Sequence, residues 1–380
     1  MTSKLPGALM SIVYSFNKLI LLLLLNFFLI AVAIIGIGFL IAFHEFGHFI
    51  FCKIFNVKTP SFSIGFGPRI IEKKIGETTF ALSAIPLGGY VEIAGSHEPG
   101  QGEQKDAFSK DPRSFAQKPY YQKMLIIAGG ILFNLIFAWG ALSSLFYFGG
   151  PCLGNWCKDQ KPVVLSVQEN LPAQKAGLKA YDTIIAINDN KVSSIKDVAR
   201  IINEKAGQTI DMTIKREGQL RDSSLSIKER EVQGKKIGVI GAFWYLPPHD
   251  FISSIKQGYR STVIIVKDIF LAFKSMVTRG SAEGVGGPLM LINEVKKSAS
   301  MGFQVFLFIL ALISINLAVF NVLPFPIFDG GQALLITIET LKGKPLSDGT
   351  RESIAYYTWI GVIILVVLLT TRDAFMIFFR

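Results

Sequence analysis

Gly36-Ile37-Gly38-Phe39-Leu40-Ile41-Ala42-Phe43-His44-Glu45-Phe46-Gly47-His48-Phe49-Ile50-Phe51 decides how the rest of the chain is read. The stretch closes an apolar run from Leu19 to Phe51, interrupted only by Asn26, His44, Glu45 and His48 and flanked by Lys18 and Lys53. A membrane-spanning helix needs about 20 such residues, so the run is long enough to cross with tilt, or to dip one end into a protein-lined cavity. Inside it lies H-E-x-x-H. Histidines four apart share one helix face and can grip one metal ion, zinc being the usual one. The carboxylate between them can take a proton from water that the metal polarises. Only four histidines occur in 380 residues, so the coincidence is informative. Ionisable groups in hydrocarbon are costly, and three together need a purpose. A cleaved signal peptide is the competing reading. It fails because the apolar run continues past any usual signal core, with no small-residue cleavage site before the motif.

Three further apolar segments follow, at about Met124–Phe148, Phe303–Phe328 and Ile354–Thr370. Half of all residues are hydrophobic, only 18% are charged, and mean hydropathy is +0.43. The net charge of +11 is spread over loops, without a basic stripe interleaved with aromatics. Anionic lipid headgroups, rather than nucleic acid, are the expected partners. Asn316, Asn321, Pro324 and Pro326 interrupt the third segment. Non-helical backbone at membrane depth is tolerated only where protein or a water-filled cavity covers it, so this break points to a site.

The expected fold is a polytopic α-helical membrane protein with about four transmembrane helices, a membrane-associated β-hairpin loop and one inserted α+β domain. Its expected parts are residues 1–52 with the first span, a loop over 53–123, a second span over 124–150, the inserted domain over 151–248, an amphipathic surface helix and connector over 249–302, and the last two spans over 303–380. The 53–123 loop alternates like strands at Ser61–Pro68 and Thr78–Leu82, which predicts hairpins. Its lysines and arginines favour a cytoplasmic side. Four spans then put both termini and the inserted domain outside. In that domain, strands are predicted at Val163–Val167, Thr183–Asn188, Thr209–Lys215 and Leu225–Ile227, with a helix over Ser194–Lys205. Pro172-Ala173-Gln174-Lys175-Ala176-Gly177-Leu178, followed by Asp182–Asn188, resembles a bacterial PDZ domain, a fold that can accept an extended peptide as an added strand. With no C-x-x-C pair, the three cysteines make no cysteine zinc site, and a Cys152–Cys157 disulfide depends on an oxidising side.

A catalytic zinc takes three protein ligands and keeps one open position. Beside His44 and His48, Asp329 is the strongest third candidate. It is the only acid in or bordering the third segment, and it directly follows the broken stretch Asn321–Phe328. Its ordinary alternative is a helix N-cap. Glu339 is a weaker ligand candidate, and His97 and His249 read as solvent-facing loop residues.

H-E-F-G-H in the first span, N-x-x-P-x-P-x-x-D-G in a later one and an intervening PDZ-like domain together resemble the site-2 protease family of intramembrane zinc metalloproteases. The likeness is closest to its bacterial RseP-type branch. It runs from about Gly36 to Leu341 and takes in Phe62–Gly67, Pro86–Tyr90, Gly130–Asn134 and Gly287–Leu289. The resemblance implies that His44, His48 and Asp329 hold Zn2+ and that Glu45 is the catalytic acid/base. It implies that Asn321, Pro324, Pro326 and Asn134 contact substrate, that a membrane-dipping hairpin presents substrate backbone, and that the PDZ-like domain filters substrates by size. Substrates would be transmembrane proteins or peptides in the bacterial inner membrane, such as an anti-sigma factor first trimmed by a site-1 protease, or remnant signal peptides. One PDZ-like domain stands where some relatives have two, and Phe328 replaces the usual Leu before the aspartate. Two other classes stay open: a membrane zinc protease cutting at the membrane surface, and a PDZ-containing scaffold without protease activity. A transporter is disfavoured by the lack of an internal repeat.

Overall fold

A computed structural model describes residues 5–96, 111–152, 154–188, 190–232, 235–279 and 286–379. In chain order the main elements are α1 (Leu5–Ile54), β1 (Ser61–Ile75), β2 (Thr78–Glu92), α2 (Tyr120–Phe148), β3 (Gly150–Cys152), β4 (Val163–Val167), α3 (Pro172–Lys175), β5 (Thr183–Ile187) and β6 (Asn190–Lys191). Then come α4 (Ile195–Glu204), β7 (Thr209–Arg216), β8 (Gln219–Ser226), β9 (Lys228–Val232), β10 (Lys235–Val239), β11 (Ala242–Leu246), α5 (Phe251–Arg279), α6 (Pro288–Ser300), α7 (Phe303–Val322), α8 (Asp329–Lys342) and α9 (Asp348–Phe379). The chain forms two compact units, residues 1–138 with 269–380, and residues 139–268.

Among the described residues, four helices are long and apolar enough to cross a membrane: Asn17–Ile54, Tyr120–Phe148, Phe303–Val322 and Gly349–Met376. In the first unit, α1 and α2 meet where both lack side chains. A Cβ on Gly47 would collide with the Gly129 carbonyl, so only glycines let these backbones approach this closely. Farther along α1, Ala33, Ile37 and Leu40 pack with Leu310 and Ile313 of α7 and Val295 of α6. α7 stops at Val322, because neither Pro324 nor Pro326 can donate the next helical hydrogen bonds. The chain re-enters helix at Asp329.

In its described residues the 53–123 loop forms one hairpin of two long strands rather than several short ones. Its turn is at Gly76 (φ +62°), and Ser61–Ile64 pairs with both Thr79–Leu82 and Gly89–Glu92, so the ribbon folds over itself. The near end packs under α1 through Phe49, Phe62 and Phe80. Ile70, Ile71, Ile75 and Ile85 are exposed.

The second unit holds a sheet of order β3-β11-β4-β5-β7-β8, with β6 on β5, and a separate β9–β10 pair. β4, β5, β7 and α4 fall where alternation and helical spacing put them, whereas the strand expected at Leu225–Ile227 meets only the end of β8, and β9, β10 and β11 carry no such expectation. Val198, Ile201 and Ile202, from the apolar stripe of α4, are buried with Val164, Ile184, Ile187, Ile210, Met212 and Leu225, and Ile195 at the start of that stripe is buried as well. Ser194 caps α4 in a reciprocal box with Asp197. Cys152 and Cys157 are joined in a disulfide. His249 is half-buried rather than solvent-facing: Phe146 stands edge-on to it and its Nδ1 meets the Pro247 carbonyl at 2.8 Å. The predicted amphipathic helix is present as α5. His97 lies outside the described residues.

Candidate metal centre

The 3.6-residue turn of α1 sets His44 directly over His48, and both are 8% exposed. Their Nε2 atoms are 3.2 Å apart. Asp329, the first residue of α8, brings Oδ2 to 3.3 Å from His44 Nε2 and Oδ1 to 3.5 Å from His48 Nε2. Among the described residues this is the cluster of three whose ligand atoms all lie within 4.8 Å of one another. A tetrahedral zinc with bonds of about 2.0–2.1 Å has edges of about 3.3 Å between ligand atoms, close to these separations.

Two further features fit a cation. Asp329 Oδ2 is buried and makes no hydrogen bond among the described residues: it is within ion-pair distance of His44 but not aligned with it. Leaving a carboxylate oxygen so is costly unless positive charge faces it. Gly130 supplies the room, since a Cβ there would stand 2.5 Å from His48 Nε2 and 2.6 Å from His44 Nε2.

The rings are also held from behind. His48 Nδ1 lies 2.8 Å from the Ile126 carbonyl, which can only accept, so Nδ1 carries the proton and Nε2 keeps its lone pair. His44 Nδ1 lies 3.0 Å from the Asn134 side-chain amide, while Asn134 Oδ1 has no partner among the described residues. A half-turn of that amide puts the oxygen on His44 Nδ1–H and frees Nε2 for metal. Asn134 is wholly buried, and its backbone carbonyl accepts from Ser314 of α7 at 2.8 Å. Sequence reasoning associated Asn134 with substrate; the structure places it on His44.

Asp329 reaches the histidines because the break before it turns the chain. Phe325 N–H donates to Leu323 O at 2.8 Å, and Phe328 N–H to Phe325 O at 2.9 Å. Phe328, not Asp329, occupies the N-cap position of α8. Gly330 and Gly331 lie so close to the Val322 and Phe325 carbonyls that any side chain would clash. The half-buried Glu45 carboxylate faces His48 and Asp329 and reaches the Val91 backbone N–H of β2. Asn321 lies in the last turn of α7, half-buried, while Pro324 is exposed and Pro326 half-buried in the break. Glu339 is not at the centre: it accepts from Leu346 N–H at 2.9 Å and pairs with Arg351. Sequence reasoning missed the Ile126 carbonyl and the Val91 N–H, backbone groups that no residue pattern marks.

Residues 32–368 match Peptidase family M50. A Clostridium acetobutylicum protein described as "Putative zinc metalloprotease" is 32% identical over 354 residues, covering 92% of this chain and 98% of that one. "Zinc metalloprotease RasP" of Geobacillus kaustophilus is 26% identical over 417 residues, with 91% and 97% covered. Among solved structures, a PDZ domain of an SdrC-like protein from Listeria monocytogenes matches 24% of this chain and 90% of its own, at 23% identity and a TM-score of 0.20. The family match over most of the chain makes this protein a member of Peptidase family M50, the site-2 zinc metalloproteases.

Proposed function

We propose that His44, His48 and Asp329 are the zinc ligands, that Glu45 is the general base and acid, and that the enzyme hydrolyses peptide bonds within or next to membrane-spanning segments. The observation that carries this reading is the ligand cluster itself. It is built from α1 and α8 and backed by α2, so it lies among helices apolar enough to cross a membrane. Zinc held there supplies Lewis-acid activation of water and of the scissile carbonyl. Glu45 removes the proton from the attacking water and returns it to the leaving amine nitrogen. Val91 N–H holds one face of that carboxylate, and Asn134 and the Ile126 carbonyl keep the imidazoles aimed.

A helical substrate hides its carbonyls in its own hydrogen bonds and must unwind locally to be cut. Asn321 in the last turn of α7, with Pro324 and Pro326 shaping the break after it, and the β1–β2 ribbon beside Glu45 are placed to take up the freed backbone groups. The fold then sits in the bacterial inner membrane, in contact with lipid, with both termini and the PDZ-like unit outside. A disulfide in that unit agrees with an oxidising side. Substrates are single-span proteins shortened by an earlier protease, an anti-sigma factor for example, or remnant signal peptides, with the PDZ-like unit as a size filter.

The test is cleavage of a tagged single-span substrate in membranes by the native chain and by Glu45→Gln. Cleavage within the span that disappears in the variant is expected. Equal cleavage by both overturns the role of Glu45. Function that survives in the variant without any cleavage favours a scaffold instead.

A further inference from the structure

The sheet of the second unit begins with an element too short to be read from sequence. β3 is Gly150-Pro151-Cys152, paired antiparallel with β11: Cys152 faces Trp244, Pro151 faces Tyr245, and Gly150 faces Leu246. It is the outermost strand on that side and is buried throughout. Its ladder is weak, because three residues offer few hydrogen bonds and Pro151 has no N–H to give. Covalent ties hold it instead. α2 ends two residues before it, and Cys152 is bonded to Cys157. The disulfide loop is in turn docked on the start of α4, whose Ile195 and Lys196 N–H groups donate to Gln160 and Lys158 carbonyls at 2.9 and 2.8 Å.

Beside β3, between α4 and β11, lies a cavity of about 450 Å3 with Cys152 in its wall. Ile195, Ala199 and Trp244 give it an apolar lining, and Lys158, Lys196 and Arg200 give it positive charge. Arg200 pairs weakly with exposed Glu204 at 3.4 Å, while Lys158 and Lys196 make no ion pair among the described residues. A sheet edge beside a helix is where strand addition seats an extended peptide, whose side chains fall into adjoining pockets. Here β3 already holds that edge, opposite only Trp244, Tyr245 and Leu246 of the residues from Ala242 to Leu246.

We propose that the groove between α4 and β11 is a binding site for an extended peptide with acidic side chains, filled at rest by the chain's own β3, and that reduction of Cys152–Cys157 lets the peptide replace it. The reductant is a dithiol. One of its thiolates attacks Cys152 Sγ from the cavity side, the S–S bond breaks, and Cys157 leaves as a thiolate that takes up a proton. The second thiol then displaces Cys152 from the mixed disulfide. Two electrons and two protons have passed to the cysteines, and the dithiol has become a disulfide. With one end released, β3 competes poorly with a peptide that pairs along all of β11. This inference does not depend on the protease reading.

The experiment uses the full chain in detergent, oxidised and then reduced with dithiothreitol. Fluorescence anisotropy follows a labelled Val-Glu-Val-Glu-Val-Phe peptide and its version with Gln for Glu, and hydrogen exchange follows the β11 amides. Reduction should tighten binding of the acidic peptide at least about tenfold, a modest share of what tethering can supply. Binding should weaken for the Gln peptide and for Lys196→Gln. The β11 amides should lose protection on reduction and regain it with peptide, while β5 and β7 stay protected. The double variant Cys152→Ser/Cys157→Ser should behave as reduced protein. Equal affinity in the two redox states, or no binding in either, overturns the proposal. So does a loss of β5 and β7 protection on reduction, because the disulfide would then hold the whole unit. Charge-independent binding overturns the acidic class of ligand.

Discussion

Asp182 and Asp329 are both carboxylates withdrawn from water, and their surroundings differ in one respect. Asp182, wholly buried, is saturated: Arg216 donates from Nε at 2.7 Å and from a terminal nitrogen at 2.6 Å, and Lys179 N–H adds a bond at 2.7 Å. Asp329 keeps a little exposure, 13% of its side chain, yet its Oδ2 is buried with no hydrogen bond among the described residues and both its oxygens face imidazole nitrogens. A saturated buried acid holds a fold together. An unsaturated one, aimed with two other donors at a common point, is arranged for something that arrives from outside the chain.

The largest expected effect tests that contrast directly. Asp329→Asn removes the charged ligand, so bound zinc should fall from about one per chain toward none, with hydrolysis lost, while the second unit stays folded. Metal analysis of the purified variant, with hydrogen exchange on β5 and β7, reads both quantities. Retained zinc would break the distinction.

Asp182→Asn should do the reverse. It leaves Arg216 without its counter-charge and costs the second unit about 2–3 kcal/mol, below the value for a fully buried pair because Arg216 is partly exposed. Zinc content should not change. Burial pushes the Asp182 pKa up, but the Arg216 hydrogen bonds and charge and the Lys179 N–H outweigh it and hold the carboxyl below its ordinary 3.8. A depressed folded pKa stabilises above the unfolded value, so this contribution is complete above pH 3.8 and fades as pH falls through the lower folded value. Denaturant titrations at several pH values, with and without the substitution, give the difference.

This contrast was only half legible in the chain. H-E-x-x-H announces its own geometry, because helical spacing fixes which residues share a face. Asp329 is found by scarcity, the lone acid beside an apolar segment broken by prolines. Nothing in the sequence shows that Asn134 backs His44, or that Ile126 and Val91 contribute main-chain groups, since those contacts join residues dozens of positions apart, two of them through backbone atoms. In the second unit β4, β5 and β7 were legible because alternation and turn residues mark them. β3 was not, because three residues with a proline carry no period at all.

Asn134 sharpens the comparison from the other side of the metal centre. Asn134→Ala should leave His44 Nδ1 unsupported and weaken zinc by about 10–100-fold, or roughly 1.4–2.7 kcal/mol, without unfolding the first unit. Competition with a chelator measures the change. Asn134→Asp, which presents an oxygen to Nδ1–H, should recover much of the affinity, whereas a purely space-filling role would leave it at the Ala level.

The smallest effect lies at a third carboxylate, one that is satisfied but close to solvent. Asp197 accepts from the Ser194 hydroxyl at 2.8 Å, the Ser193 N–H at 3.1 Å and the Ser193 hydroxyl at 3.0 Å, which together pull its pKa down to about 2. Asp197→Ala should cost α4 about 1 kcal/mol, the usual value for a lost cap interaction. The sign follows from the depressed pKa: the benefit is complete above 3.8 and disappears as pH falls toward 2. Native and variant chains should therefore show α4 amide exchange that differs at pH 6 and converges near pH 2. A constant gap across that range would mean that the Ala variant loses packing rather than the cap, and that hydrogen-bond saturation at this acid contributes little to the fold.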